Sequence, residues 1–526
     1  MQESSSTAGV AAHKKNLWKV IGASSLGTLI EWYDFYIFGS LAIVISTKFF
    51  PPDNPTAAFL STLATFAAGF VVRPFGALFF GRLGDIIGRK YTFLVTLLVM
   101  GLATCAIGLV PGYETIGFAA PIIVLLLRLL QGLALGGEYG GAATYVAEHS
   151  EPDKRGYRTS WIQTTATFGL FISLAVIMLT KGSMSAEAFD DWGWRLPFLV
   201  SSVMVVISYF IRRNMDESPL FKKAKSEGKT TANPLRESFG KKYNFKFVLL
   251  ALFGATMGQG VIWYTGQFYA LSFLQSVCKV DFDQTNYIIG AALLAGTGFF
   301  VFFGWLSDKV GRKPVMLAGM LLAILTYRPI FDRIYQLTDT ANKQELVEKH
   351  AIRQHVDSHG ETGDSLRITT VERFFTDGSV HRLVQEEVKV AGQAEYLTPT
   401  SAAHIHVGPG TFASLVFMVF ILVLYVTMVY GPIAAFLVEM FPVRIRYTSM
   451  SLPYHIGNGI FGGLLPAVAT YLVTTAQFAN ENALASGNTL LYEKPHLAGL
   501  WYPIIIGGVS FVIGLLYLRN KNQNVH

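Results

Sequence analysis

The sequence predicts an all-α membrane protein of twelve transmembrane helices, arranged as two pseudo-symmetric six-helix bundles with a small β-containing insert outside the membrane. Three observations predict it. The 526 residues are 52% hydrophobic and only 15% charged, against about 25% charged in soluble domains. Twelve apolar stretches recur along the chain, each near the roughly 20 residues that a helix needs to cross hydrocarbon. A ten-residue motif lying between two of these stretches returns 223 residues later, the mark of an internal repeat.

The spans are expected at 19–45, 57–80, 91–110, 119–145, 159–181, 195–212, 247–275, 285–306, 314–331, 411–437, 447–475 and 497–519. The first carries Glu31 and Asp34 and lacks a small-residue cleavage site, so it reads as a retained span and not as a signal peptide. Two stretches interrupt the run of short loops. Residues 213–246 form a basic connector with Lys222, Lys223, Lys225, Lys229, Arg236, Lys241, Lys242 and Lys246; the positive-inside rule puts it in the cytoplasm. Residues 331–410 hold 12 of the 35 acidic residues, 6 of the 11 histidines and 8 Lys or Arg, and belong on the opposite side. Within them, alternating residues at 367–371 and 380–384 flank Asp377-Gly378, a hairpin signal.

The expected organisation is therefore a cytoplasmic tail at 1–16, an N-terminal bundle at 17–212 and the cytoplasmic linker at 213–246. A C-terminal bundle follows at 247–330 and 411–520, split by the insert, with a second cytoplasmic tail at 521–526. Lys and Arg gather at the even-numbered boundaries and the termini, which places both ends in the cytoplasm of a multi-pass cell membrane protein. The net charge of +7 is used up in this orientation and argues for no nucleic acid. Two cysteines, Cys105 and Cys278, build neither a disulfide framework nor a zinc site. The insert's histidines lack a ligand spacing, so no metal or cofactor is expected.

The repeat runs from Gly81 to Lys90 (GRLGDIIGRK) and from Gly304 to Lys313 (GWLSDKVGRK). The copies share Gly81/Gly304, Asp85/Asp308, Gly88/Gly311 and Arg89/Arg312, and each joins the second and third spans of its half. A second echo pairs Glu148 with Arg155 and Glu439 with Arg446, each seven residues apart and each closing its half's fourth span. The echoes are offset by 223 and 291 residues; the difference, 68, is the insert. Glycines allow a tight reversal, the carboxylate can cap the following helix, and the arginines hold the cytoplasmic face. These residues are candidates for a conformational latch that breaks and reforms as the halves rock, the alternative being a static topological staple.

The doubled Gly-x-Leu-x-Asp-x-x-Gly-Arg-Lys resembles the signature of the major facilitator superfamily. Glu31-Trp32-Tyr33-Asp34-Phe35, Arg73-Pro74-Phe75-Gly76, Arg128-Leu129-Leu130-Gln131-Gly132 with Gly136-Gly137-Glu138-Tyr139-Gly140, Trp192 to Pro197, and Glu439-Met440-Phe441-Pro442 resemble its metabolite:proton symporter branch. That branch includes 2-oxoglutarate, citrate, shikimate and proline/betaine permeases. The resemblance implies proton-driven import by alternating access around a cavity between the halves, in a prokaryotic inner membrane. The long insert departs from the family pattern.

Ionisable groups within spans are costly and mark function. Five stand out: Glu31, Asp34 and Glu138 as proton-coupling candidates, Arg73 and Arg128 as their partners or the substrate's. A rise of about 1.5 Å per residue places Arg73 and Glu138 at similar depth, and Glu31 and Asp34 near Arg128. Pairs Arg73–Glu138 and Asp34–Arg128 are expected, leaving one acid unmatched. Glu31 and Asp34, three apart on one face, would share an arginine and hold an exchangeable proton. Gly132, Gly136 and Gly140 mark a close-packing face. Gln259, Trp263, Tyr264, Gln267 and Tyr269 on the seventh span, with His455 and Asn458 on the eleventh, are cavity-lining candidates.

The expected function is proton-coupled import of a small polar metabolite, tilted by the arginines to a carboxylate. A zwitterion such as proline or betaine, suited to the aromatic groups, and a non-transporting sensor of the same fold are the alternatives. Its partners are the metabolite, protons and the bilayer, with no protein partner required. No nucleophile-base set or P-loop appears, so no enzyme is expected.

Overall fold

The computed structural model describes residues 2–51, 55–358, 365–389 and 400–519. Among these, eleven helices are long and apolar enough to cross a membrane, and a bent pair supplies a twelfth span. The first half comprises α1 (Leu17–Ser40, turning by 64° into Ala42–Phe49), α2 (Ala64–Ile86), α3 (Arg89–Leu109), α4 (Ala119–His149), α5 (Pro152–Gly182) and α6 (Gly193–Arg213). The second comprises α7 (Lys242–Val277), α8 (Phe282–Val310), α9 (Arg312–Thr338), α10 (Pro409–Met440), α11 (Arg446–Ala485) and α12 (Pro495–Tyr517).

These helices bury one stripe and leave the other apolar. Val71, Phe75, Phe79, Leu102 and Leu109 are exposed on the outer surface, where only lipid accommodates them. The first half packs on Tyr33, Ile37, Phe38, Trp194 and Phe198, and the second on Met320, Tyr327, Phe331, Val423 and Val426. The halves meet along α2 against α11 and α5 against α8. The reversals between α2 and α3 and between α8 and α9 turn on Gly88 (φ 126°) and Gly311 (φ 101°), a conformation that a side chain would strain.

The insert is a four-stranded antiparallel meander of β1 (Ala351–Ser358), β2 (Ser365–Phe374), β3 (Val380–Lys389) and β4 (Thr400–His406). The turn at Asp377-Gly378 pairs Phe374 with Val380 and Arg373 with His381, as the alternation predicts. The sheet is sewn to the second half. Ile405 donates its amide to the Lys279 carbonyl (2.7 Å) and accepts from Asp281 (2.9 Å), while Gln284 at the start of α8 exchanges hydrogen bonds with the Val407 backbone. The ninth span ends later than its apolar run implies. Helix continues to Thr338 because Phe331 and Ile334 remain in the core although polar residues interrupt the sequence. The connector contains a short helix, Pro219–Ser226, capped by the Ser218 hydroxyl, which accepts from Phe221 (3.2 Å).

Candidate substrate cavity and latch

A small cavity of about 20 Å³, room for about one water, lies between the halves. Glu31, Trp32, Arg73 and Tyr139 line it from the first half; Trp263, Tyr264, Tyr430, Tyr454, His455 and Asn458 line it from the second. Aromatic pairs reach across at both ends. Tyr139 stacks on Tyr454 at 3.8 Å and 6°, about 15 Å from the latch end of α4 at 1.5 Å per residue. Trp32 meets Trp263 at 5.5 Å, further from that end. Asn458 and Gln259 exchange two amide hydrogen bonds, each 3.0 Å. π-helical turns at Thr265–Tyr269 and Gly457–Gly462 flank the lining, a local loosening common at functional sites. Gln259, Gln267 and Tyr269 are outside the lining: Gln259 reaches it only through Asn458, and Tyr269 meets Phe331 at 5.5 Å in the core.

The buried charges pair differently from expectation. Glu138 accepts from Arg212 (2.7 Å) and Thr96 (2.8 Å), not from Arg73. Arg212 also donates to the Phe93 carbonyl (2.8 Å) and lies over the Phe93 ring. Arg73 forms no ion pair among the described residues; it stacks on Phe70 at 4.2 Å and lines the cavity beside Glu31. Asp34 and Arg128 are linked indirectly. Arg128, between Phe38 and Phe66, donates to Gln131 (2.8 Å), Gln131 to Thr104 (2.5 Å), and Thr104 to Asp34 (2.8 Å). Glu31 and Asp34 therefore do not share one arginine: Glu31 faces the cavity, and Asp34 faces α3.

The repeated motif closes one end of the molecule by reciprocal capping. Asp85 accepts from the backbone amides of Tyr447 (3.3 Å) and Thr448 (2.9 Å), the first turn of α11. Asp308 accepts from Gly156 (2.9 Å) and Tyr157 (2.7 Å) in α5. Each carboxylate thus caps a helix of the opposite half, not the helix that follows it. Glycines permit the approach: a Cβ on Gly84 would lie 2.2 Å from the Tyr447 ring, and one on Gly304 2.4 Å from Ser160 Oγ. Small residues of α4 allow close approach on both sides: a Cβ on Gly136 would lie 2.2 Å from the Arg73 carbonyl of α2 in the same half, and one on Gly140 2.1 Å from Ser451 Oγ of α11 in the other.

Arginines complete the closure. Arg89 contacts Asp85 (3.1 Å) and Glu148 (3.4 Å), and Glu148 also receives Arg446 of the other half (2.9 Å). Arg312 contacts Asp308 (2.5 Å) and Glu439 (3.1 Å). The echo is asymmetric: Arg155 donates to the Ala147 carbonyl (3.2 Å) and makes no ion pair with Glu439 among the described residues. The helix that follows Gly88 is capped instead by the connector, whose Glu217 accepts from the amides of Arg89 (3.1 Å) and Lys90 (3.2 Å).

Residues 19–344 match the family described as sugar (and other) transporter. The chain belongs to this family, within the major facilitator superfamily. It is 38% identical over 316 residues to the inner membrane metabolite transport protein YhjE of Escherichia coli (strain K12), spanning 58% of this chain and 70% of that one. The alpha-ketoglutarate permease of the same organism is 28% identical over 507 residues, 96% and 94% of the two chains. The solved proton:xylose symporter XylE, bound to 6-bromo-6-deoxy-D-glucose, has a TM-score of 0.62 at 15% identity, covering 96% of this chain and 95% of that one; the likeness shows the shared fold. This protein is thus a multi-pass membrane transporter and not an enzyme.

Several residues that organise this transporter's interior escape a reading by motif. Arg212 sits beside Arg213 at the end of an apolar run and passes for a boundary charge. Its phase gives it away: Pro197, Ser201, Val205, Ser208 and Arg212 recur at three and four residues and are all buried, one helical face. Gln131 and Thr104 bridge Asp34 to Arg128 from two different helices, and sequence spacing carries no signal of that.

Proposed function

We propose that this transporter is a proton-coupled symporter that imports a small carboxylate by rocking its halves about the central cavity. One observation carries the reading: Glu31 and Arg73, an acid and a guanidinium that have no ion-pair partner among the described residues, line the same space between the halves. An acid there can take a proton from the side of entry and release it on the other, and an arginine can receive a carboxylate. Asp34, Arg128, Glu138 and Arg212 hold the surrounding charge. The alpha-ketoglutarate permease among the relatives supports a carboxylate. The latch gives the rocking motion two discrete contact sets to break and reform.

The basic connector and boundaries support an inner-membrane orientation with both termini and the latch in the cytoplasm, and the insert outside. The division into two bundles, a basic connector and an insert rests on the same reasoning, with the first part of the C-terminal bundle carried on to Thr338. A second reading, uptake of a zwitterion, is favoured by the aromatic lining, because Trp32, Trp263 and Tyr430 offer ring faces to a cationic group. The test is uptake into liposomes under an inward proton gradient across labelled 2-oxoglutarate, citrate, shikimate, short monocarboxylates, proline and betaine. Accumulation of a carboxylate, collapsed by a protonophore, is the expected result. Accumulation of proline or betaine alone selects the second reading, and accumulation of nothing rejects both.

A further inference from the structure

The cavity specifies its ligand more narrowly than that reading, on which this inference rests. Four buried polar atoms in its lining have no hydrogen-bond partner among the described residues: Glu31 Oε2, Arg73 Nε, Trp263 Nε1 and His455 Nε2. Unmet buried groups each cost about 1–3 kcal/mol, and such clustering around one space marks a site whose hydrogen bonds a ligand completes. Arg73 and the Trp263 indole are donors only, and together they present N–H groups to an acceptor such as a carboxylate. His455 Nε2 is available to a second polar group. Of the remainder of the lining, the Asn458 amide is already engaged by Gln259 and the Tyr454 carbonyl, and the rings of Trp32, Tyr139, Tyr264, Tyr430 and Tyr454 favour a hydrocarbon skeleton over a polar one.

Charge bookkeeping then fixes the valence. Among the described residues within the depth of the first half, away from the latch, the acids are Glu31, Asp34 and Glu138 and the cations are Arg73, Arg128 and Arg212, three of each. Glu138 and Arg212 cancel directly, and Asp34 and Arg128 cancel through Gln131 and Thr104. Glu31 and Arg73 are left to balance each other across the cavity. Among the described residues, Arg73 is the one cation in the lining, and the second half contributes no charged side chain there. A bound monoanion leaves the site one negative charge in excess, and one proton on Glu31 restores neutrality. A dicarboxylate leaves a further charge with no cation to meet it, in a medium where an unpaired charge is costly.

We infer that the substrate is a monocarboxylate bearing a hydroxyl or carbonyl on an apolar skeleton, carried with one proton and no net charge. The anion binds Arg73 and the Trp263 N–H; the second polar group meets His455. The proton forms the Glu31 carboxyl O–H on entry and leaves that oxygen on the other side. The groups acting electrostatically on Glu31 are Glu138, Arg73, Arg212 and Asp34, with Tyr139, Tyr430, Tyr454 and His455 packed around the same space.

The test uses the full chain in liposomes with lactate, 3-hydroxybutyrate and shikimate as labelled monocarboxylates, malate and 2-oxoglutarate as dicarboxylates, and betaine. Initial rates are measured under a proton gradient with and without a potassium diffusion potential set by valinomycin. The expected result is uptake of a monocarboxylate at least tenfold faster than of either dicarboxylate, and unchanged by a potential of either sign. Arg73→Gln should raise the apparent KM for it at least tenfold, while Arg73→Lys should recover part of the loss. Preferred uptake of a dicarboxylate or of betaine, or uptake accelerated by the potential, overturns the inference and leaves proton-coupled transport standing. Proton-independent uptake of every compound overturns the symport reading itself.

Discussion

Removing one member of the Glu138–Arg212 pair strands the other in a low-dielectric interior, a loss of about 3–5 kcal/mol where a buried pair is broken. Arg212→Ala should therefore lower the unfolding temperature in detergent sharply, and the double variant Glu138→Gln/Arg212→Met should recover most of the loss, as measured by thermal unfolding of the purified protein. Gly27 adds a second constraint. A Cβ there would lie 1.3 Å from Arg212 Nη2, so Gly27→Ala should push α1 off the pair one turn before Glu31. At this scale the sequence reveals which residues are charged and how deep they lie, but not their angle around the bundle. That missing coordinate is why Arg73 and Glu138, equal in depth, do not meet, while Arg212 reaches Glu138 from a helix end.

At the scale of elements, the latch is two carboxylates spread over four backbone amides. Each cap is worth about 1 kcal/mol, roughly fivefold in the closed-to-open ratio. Asp85→Ala and Asp308→Ala should each broaden, toward longer values, the distance distribution between spin labels at Lys154 and Lys309, on opposite sides of the α5–α8 contact. The repeat made the existence of these loops legible, and Gly88 and Gly311 their reversals. It could not show that each cap crosses to the other half, because copies related by duplication look alike whether they bond within a half or between halves. The insert's hairpin was legible through Asp377-Gly378 and its flanking alternation.

The same hairpin carries a pH prediction. Burial pushes the Asp377 carboxyl up, but hydrogen bonds from Lys343 and from the Ser379 amide and hydroxyl outweigh it and hold Asp377 below the ordinary carboxylate range. A depressed value stabilises the attachment above that range, and the contribution is lost as pH falls through the folded value. Protection of the Gly378 and Ser379 amides, taken as the ratio of intrinsic to observed exchange rate at each pH, should be high at neutral pH and fall in acid below about pH 4. Asp377→Asn should show low protection at both.

For the whole molecule, composition and twelve apolar runs specified the fold class because lipid imposes so few solutions on a backbone. What they left open is the working state. The latch end is closed by Asp85, Asp308 and Glu148, and the cavity beyond it is enclosed by Tyr139–Tyr454 and Trp32–Trp263. Such an arrangement must part at one end to admit a ligand larger than water. On the proposed reading, Glu31 couples this motion to a proton. The decisive comparison is of wild type with Glu31→Gln in proteoliposomes, for gradient-driven accumulation and for exchange of labelled against unlabelled substrate at equal pH. The variant should lose accumulation and still exchange. Accumulation at the wild-type level by Glu31→Gln would contradict that reading.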